Sequence, residues 1–290
     1  MSKLHFIYNP VAGLGVSRKA FAAMQALLQE QHVDYSFSTT EYAGHAPLLT
    51  ARAIEEGPDC IVAVGGDGTV REVASAMLGA SVPIGVFPCG TGNDFAKSLH
   101  IPAEPAAALK ILQKGRMRAL DVGVVNDMLF FNVAGLGFDV DVLEKTQNFK
   151  KRFKGLFAYV LGLLSALAGL HLRRIKVTTD QGEFYHNALV VEVGNGTHIG
   201  GGMNVTPLAD PCDGLFDICI ISDVTKLTVL KVLTRFIKGK HLGMDITTYY
   251  KAKSLFVESD PPSPLQLDGE IMGTTPASFY IRPGVIQIVC

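Results

Sequence analysis

The run Gly65-Gly66-Asp67-Gly68-Thr69 puts flexible backbone, a carboxylate and a hydroxyl next to one another. Adjacent glycines let backbone N–H groups approach a ligand closely, because no Cβ intervenes. A helix that starts directly behind such a loop offers unpaired N–H groups to an anion such as phosphate. Asp67 conflicts with a loop that holds phosphate alone, since a bare carboxylate repels it. A divalent cation between the two removes the conflict. A tight strand-to-helix turn capped by Asp67 is the competing reading, and a single loop does not separate the two.

Two more loops shift the balance. Asn9-Pro10-Val11-Ala12-Gly13 and Pro88-Cys89-Gly90-Thr91-Gly92-Asn93-Asp94-Phe95-Ala96 also follow short apolar runs. On a parallel sheet all three would meet at the carboxyl edge, where ligands bind. Together they describe a nucleotide site. The chain has no Walker A sequence and no complete G-x-G-x-x-G, which disfavours ordinary P-loop and dinucleotide folds.

Acidic groups recur later. Asp268-Gly269-Glu270 follows Leu267, and D-G is a strong hairpin-turn signal. A carboxylate at such a turn can also take the proton from a hydroxyl that attacks a phosphoryl group. Asp210-Pro211-Cys212-Asp213-Gly214-Leu215-Phe216-Asp217 is a second cluster, and its spacing is not that of an EF-hand. The histidines His45, His171, His186 and His198 are scattered and read as surface or hydrogen-bonded side chains.

The elements that must hold these residues are legible as a pattern. Strand-like runs His5–Tyr8, Val33–Ser38, Cys60–Val64 and Pro83–Phe87 alternate with helical segments. The first helix has Phe21, Met24 and Leu28 on one face and Ser17 as its expected cap. Pro47–Glu56, Val70–Leu78 and Pro105–Gln113 follow. This β-α-β-α order predicts an α/β domain with a parallel sheet. Beyond about residue 117 strands follow one another through short polar turns, which predicts an antiparallel β-sandwich. The expected domains are 1–120 and 121–282, with 283–290 able to complete the first.

Composition narrows the class. The 290 residues carry 26 Lys+Arg against 27 Asp+Glu, a net charge of -1, so an electrostatic nucleic-acid binder is disfavoured. With 48% hydrophobic and 18% charged residues the chain can bury a sizeable core. The five cysteines form no C-x-x-C pair, which argues against a disulfide framework or a cysteine zinc site. The first residues show no secretory leader, and the expected compartment is the cytoplasm.

In this order, Asn9-Pro10…Gly13, Gly65-Gly66-Asp67-Gly68-Thr69 and Gly90-Thr91-Gly92-Asn93-Asp94-Phe95-Ala96 resemble the diacylglycerol kinase catalytic domain, which sphingosine and ceramide kinases share. The G-G-D-G-T element alone also resembles NAD kinases and phosphofructokinases. The resemblance implies an ATP- and Mg²⁺-dependent lipid kinase, with diacylglycerol as leading acceptor. Sphingoid, ceramide-like or phosphatidylglycerol-like lipids, an NAD-kinase-like activity and a non-catalytic sensor are the alternatives. It implies that Asn9, Pro10, Val11, Ala12, Gly13, Thr40, Gly65, Gly66, Asp67, Gly68, Thr69, Val70, Arg71 and Thr91 contact ATP. It implies Glu270 as the base, Asp67 as the Mg²⁺-linked partner, and Asp94 and Asp121 as the rest of an acidic network. It further implies a structural Mg²⁺ on the Asp213 carboxylate and the carbonyls of Asp210 and Leu215. Leu14 and Arg71 depart from the family pattern, where a basic residue and an asparagine are usual.

Two basic stretches suggest a membrane partner. Residues 145–176 hold eight Lys/Arg and no acid, around the uncharged run Gly155–Leu172. That run is expected to be a buried helix covering the sandwich, being short for a bilayer span. Thr225–His241 reads as a basic amphipathic helix with Leu227, Leu230, Leu233 and Ile237 on one face. Segments 145–176 and 225–241 are therefore expected to meet anionic lipid headgroups, placing the protein peripherally at the inner membrane face. A homodimer is compatible with this reading.

Overall fold

The structure is a computed structural model that describes residues 3–114, 116–150 and 156–290. The chain forms two compact units. The first holds Met1–Val122, Asp210–Gly214 and Arg282–Cys290, and the second holds Gly123–Ala209 and Leu215–Ile281. Asp210–Gly214 thus leaves its sequence neighbours and joins the first unit.

The first unit alternates strands and helices: β1 (Lys3–Tyr8), α1 (Val16–Glu30), β2 (Asp34–Thr39), α2 (Ala46–Glu55), β3 (Cys60–Gly65), α3 (Asp67–Ala76), β4 (Ile84–Pro88), α4 (Asp94–Ser98) and α5 (Pro105–Lys114). β2, β1, β3 and β4 pair in parallel in that spatial order. The last residues of the chain add beside β4, also in parallel, through Ile288 opposite Ile84. β3 is buried along its whole length, as expected of a parallel strand covered on both faces. The α1 face Phe21, Met24 and Leu28 packs on Phe6, Val62 and Leu109. Each such side chain contributes about 1.5–3 kcal/mol by leaving water.

Ser17 does not cap α1. It lies in the first turn with its hydroxyl buried and unpaired. The chain instead enters the helix through Gly15, whose φ of 90° only glycine adopts without strain.

The remaining elements are β5 (Met117–Val125), β6 (Met128–Phe130), β7 (Val133–Gly137), α6 (Phe138–Lys150), α7 (Leu156–Ala168), β8 (Arg173–Thr179), β9 (Gly182–Gly194), β10 (His198–Ile199), β11 (Met203–Asn204), β12 (Phe216–Ser222), α8 (Lys226–Ile237), β13 (Thr247–Ala252), β14 (Ser254–Asp260), β15 (Pro264–Leu267), β16 (Glu270–Thr274) and β17 (Ala277–Val289). In the second unit the strands pair antiparallel, β16-β15-β7-β9-β8-β14-β17, with β12 on β9 and β13 on β12. The fold class is the expected one: an α/β unit with a parallel sheet and an antiparallel β unit.

Two apolar layers hold the second unit. One lies inside the strands, around Phe130, Phe216 and Phe279. The other lies where α6, α7 and α8 cover them, around Phe138, Val229 and Phe236. α7 is not buried all round. Tyr159, Leu163 and Ala166 turn inward, while Phe157, Val160 and Leu164 remain exposed. Gly162 lets α7 approach α6, since a Cβ there would sit 2.8 Å from the Thr146 amide nitrogen. Among the described residues no helix is long and apolar enough to cross a membrane.

The basic stretch 145–176 is divided. Lys151, Arg152 and Lys154 lie outside the described residues. Arg173 is buried and forms a two-armed ion pair with Asp141, at 2.7 and 3.1 Å. Lys176 bonds Glu183 at 2.7 Å. Arg173 and Lys176 are therefore engaged by carboxylates of the unit itself.

Candidate functional site

The first unit brings three loops together because their parent strands are parallel neighbours in register. Tyr8 lies opposite Val64, and Gly65 opposite Pro88. The loops leave the same edge and are tied there: the Asn9 N–H donates to the Val64 carbonyl at 3.0 Å, and the Cys89 N–H to the Gly65 carbonyl at 2.8 Å. The Asn9 side chain donates to Thr69 Oγ1 at 3.0 Å and accepts from the Val11 N–H at 3.1 Å.

Glycine is needed where the loops touch. A Cβ on Gly90 would lie 2.4 Å from the Gly66 Cα, and one on Gly13 would lie 2.4 Å from the Cys89 carbonyl oxygen. Gly13 also has a φ of 60°. Asn93, in the left-handed region, closes the third loop by accepting from the Gly90 N–H at 2.7 Å and donating to the Gly90 carbonyl at 3.1 Å.

These loops enclose a cleft of about 410 Å³. Asn9, Pro10, Val11, Ala12, Gly13, Thr40, Gly66, Gly68, Thr69 and Thr91 line it. Gly65 ends β3, Asp67 and Arg71 lie in the first turns of α3, and Val70 is buried in that helix. Sequence reasoning missed Glu41, Tyr42, Ala43, Glu72 and Gly90 as lining residues. Adjacency to Thr40 and Thr91 was a usable signal for four of them. Glu72 is different: its carboxylate accepts from the Gly44 N–H at 3.1 Å and so holds the Thr40 segment against α3.

Asp67 begins α3, and its Oδ1 accepts from the Phe95 N–H at 2.9 Å. Burial pushes its carboxyl above the ordinary carboxylate range; the Phe95 N–H opposes the shift and the neighbouring Asp94 adds to it. Asp94 is itself buried and holds Lys97 at 3.2 Å. Two neighbouring carboxylates, one of them paired with Lys97, form an oxygen-rich, negatively charged spot. That donor set suits a hard cation such as Mg²⁺.

Asp121 has a different setting. Its two oxygens accept from the Gly214 N–H at 2.7 Å and the Gly284 N–H at 2.8 Å. Burial pushes its carboxyl up, those N–H groups oppose this, and its acidic neighbours are Asp213 and Asp210. Asp121 therefore ties Asp210–Gly214 and the chain's end to the first unit. In the same loop the Asp210 carboxylate grips Arg118 at 2.6 and 2.7 Å, and its carbonyl accepts from the Asp213 N–H at 3.2 Å. The proposed structural-Mg²⁺ donors fall on both sides of a unit boundary, with Asp210 and Asp213 before it and Leu215 after it. Among the described residues, no three His, Cys, Asp or Glu side chains converge as a metal cluster.

In the second unit Asp268-Gly269 is the two-residue turn between β15 and β16, with φ of 48° and 85° and Leu267 opposite Glu270. Positive φ at both positions is the signature of the tightest hairpins. Asp268 is the anchor: its carboxylate accepts from the N–H groups of Phe131 (2.9 Å), Asn132 (2.8 Å) and Val133 (3.2 Å). Gly269 donates to Gln266 Oε1 at 3.0 Å. Glu270 thus stands exposed on a turn fixed from both sides.

Behind this turn lies a narrow cavity of about 70 Å³ under α6, α7 and α8. Phe138, Val142, Leu163, Val229, Leu233 and Phe236 supply apolar walls, and Gly269 reaches one side.

Residues 3–125 match the model of the diacylglycerol kinase catalytic domain, and residues 132–290 match that of the YegS C-terminal NAD kinase beta sandwich-like domain. A diacylglycerol kinase of Staphylococcus saprophyticus is 30% identical over 281 residues, covering 96% of this chain and 92% of that protein. One of Mycobacterium tuberculosis is 29% identical over 296 residues, covering 100% and 95%. The crystal structure of a diacylglycerol kinase from Bacillus anthracis shares the fold, with a TM-score of 0.73 at 23% identity over 99% of this chain and 96% of that one. With both domain models matched along the chain, the protein belongs to the diacylglycerol kinase family of lipid kinases.

Proposed function

We propose that the chain transfers the γ-phosphoryl group of ATP to the free hydroxyl of diacylglycerol, giving phosphatidic acid. The observation that carries the acceptor class is the apolar-walled cavity of the second unit, which reaches Gly269, the residue before Glu270. A soluble acceptor would have no use for a wall of that composition. The names of the relatives favour diacylglycerol among lipids.

The residues divide the work. The three glycine loops bring backbone N–H groups and the start of α3 to the phosphates. Glu270 takes the acceptor proton as the hydroxyl oxygen attacks phosphorus and the bond to the leaving ADP oxygen breaks. Asp268 and Gln266 hold the turn that carries Glu270. Asp67 and Asp94 are the residues that would hold Mg²⁺, which when bound neutralises phosphate charge. Most of the rate then comes from positioning and preorganised charge.

The acceptor resides in a membrane, and α8 fits that surface. Leu227, Leu230 and Ile237 are exposed, and every charged side chain of α8 is basic: Lys226, Lys231 and Arg235. Lys238 and Lys240 continue the charge beyond its end. We place this face on anionic lipid.

Phosphate transfer from labelled ATP to a panel of neutral lipids, sphingoid lipids and NAD tests the reading. Diacylglycerol is expected to be labelled by the wild type and not by Glu270→Gln. Labelling of NAD alone would remove the lipid acceptor from the proposal.

A further inference from the structure

The apolar cavity contains two carboxyl groups that the phosphoryl-transfer machinery does not use. Asp139 lies in the first turn of α6 and Glu192 on β9, and both line the cavity. Glu192 is 1% exposed. Its Oε2 and both Asp139 carboxyl oxygens are sealed from solvent and make no hydrogen bond of normal geometry.

Their placement follows from strand register. Gly135 on β7 lies opposite Glu192 on one side and opposite Gln266 on the other, so the three share one face of the sheet. The glycine leaves a gap into which three polar atoms converge. A Cβ there would lie 2.4 Å from Glu192 Oε2 and 2.9 Å from both Asp139 Oδ2 and Gln266 Nε2. The other end of Gln266 accepts from Gly269 in the Glu270 turn. A polar trio thus sits at the wall of an otherwise apolar cavity, one side chain away from the turn that bears the proposed base.

Among the described residues no cation forms an ion pair with either carboxyl. Arg173, the nearest, spends both guanidinium arms on Asp141. The two carboxyls are also faced by the Asp141 carboxylate, the Gln266 amide, the Tyr159 hydroxyl, the Cys219 thiol and the Val140 N–H. Burial, with the charge of Asp141, pushes Asp139 up to about 7 against the Val140 N–H and Arg173, and burial with the charge of Asp139 pushes Glu192 well above the ordinary range. A buried carboxylic acid needs an acceptor for its proton, just as a buried carboxylate needs donors.

We propose that the Asp139–Glu192 pair is the polar recognition site of this cavity and that, in its protonated form, it donates a hydrogen bond to an ester carbonyl oxygen of the bound acceptor. The inference rests on the lipid-kinase reading and adds to it the residues that select acyl esters, whose carbonyls accept, over ether lipids, which lack that oxygen. The attacking hydroxyl is the same in both lipids, so the discrimination comes from the cavity and not from the base.

The test measures kcat/KM of the full-length enzyme for 1,2-dioleoylglycerol and for the matching 1,2-dialkylglycerol in mixed micelles. The wild type is expected to prefer the ester by about tenfold, the usual worth of one such hydrogen bond. Glu192→Leu is expected to shrink that preference to within about twofold while keeping ether-lipid turnover. The doubly substituted Asp139→Asn, Glu192→Gln enzyme keeps amide donors and is expected to hold its preference constant as pH rises, whereas that of the wild type declines above pH 7 as Asp139 ionises. Thermal melting verifies that each variant is folded. Equal turnover of ester and ether lipids by the wild type, or an unchanged preference in Glu192→Leu, overturns this inference alone. Preference for a long-chain amino alcohol, abolished in the double variant, also overturns it, because the pair then serves as an anionic site. Transfer to none of these lipids, with ATP binding intact, overturns the lipid-kinase reading itself.

Discussion

The carboxylate of Asp67 holds the backbone of Phe95: Oδ1 accepts the Phe95 N–H at 2.9 Å, so the residue that starts α3 also fixes the first turn of α4. One side chain therefore has a structural bond and a charge, and the two can be separated. Asp67→Asn keeps an oxygen for Phe95 and removes the charge. Its stability is expected to stay within about 1 kcal/mol of the wild type. Its kcat is expected to fall by about 10² or more, as when a charge is lost from a preorganised site. Asp67→Ala loses both, and its melting temperature drops as well. Full activity in Asp67→Asn would remove the metal-holding role.

Gly90 and Gly66 meet backbone to backbone, which makes a steric prediction. In Gly90→Ala the new Cβ would lie 2.4 Å from the Gly66 Cα and 2.9 Å from Asn93 Oδ1, and the nearer of these is main chain that cannot step aside. Such overpacking costs about 1–3 kcal/mol. Here that strain widens the cleft floor, so ATP affinity is expected to weaken about tenfold or more by calorimetry. Gly243→Ala, outside the cleft and where a Cβ meets nothing within 4 Å, is the control and is expected to bind ATP nearly normally.

The parts of this molecule that were legible in sequence are those whose signal is local. Cys60–Val64 is an unbroken apolar run, and β3 is buried throughout. The loops after β1, β3 and β4 follow from glycine beside a strand end. The missed parts depend on distant partners. Asp121 reads as one more acid beside the phosphates, yet its oxygens go to Gly214 and Gly284, which no spacing rule connects to it. Glu192 sits in the apolar run Ala188–Val193 and acquires meaning only from Gly135, Asp139 and Gln266. α6 was not foreseen because Phe138, Val140 and Val142 alternate with aspartates, a strand-like period of two. The outward apolar face of α7 was hidden by its composition, since a helix with no charge gives no clue to which side is covered.

Asp268 makes a testable distinction within Asp268-Gly269-Glu270. Three buried N–H groups depend on its carboxylate. Asp268→Ala leaves them unpaired and puts a Cβ residue at a φ of 48°, where aspartate and asparagine are better tolerated. The combined loss is expected to be roughly 3 kcal/mol by denaturant titration. Asp268→Asn, which retains one acceptor oxygen and the backbone preference, is expected to lose less than half of that. Equal stability in the two variants would mean that the N–H groups find other partners.

The α8 surface predicts ionic-strength-sensitive membrane binding. Lys231 and Arg235 are exposed on the helix, among the exposed Leu227, Leu230 and Ile237. Each basic residue near an anionic bilayer contributes about 1 kcal/mol. Lys231→Glu with Arg235→Glu is expected to lower partitioning onto phosphatidylserine-containing vesicles by about tenfold or more, with little effect on ATP binding. Equal partitioning of the wild type onto purely zwitterionic vesicles would exclude headgroup charge as the attraction.

His241 links pH to the packing under α8. It is fully buried, stacks edge-on against Phe236 at 4.4 Å, and its Nε2 meets the Val205 carbonyl at 3.0 Å. Its Nδ1 has no partner. Burial pushes the imidazole down to about 4, against the opposing pull of the Val205 carbonyl. The unfolded chain takes up a proton on this residue near pH 6.5, whereas the folded chain does so only near pH 4. Between those values the unfolded state binds more protons, so the contribution is fully present above pH 6.5 and is lost as pH falls towards 4. The loss is on the order of 3 kcal/mol at the lower end. His241→Gln can still donate to Val205 and does not titrate. Its stability measured against pH is therefore expected to fall less steeply than that of the wild type between pH 6.5 and 4, with the two curves parallel above pH 7. Parallel curves over the acid range as well would show that His241 ionises equally in both states.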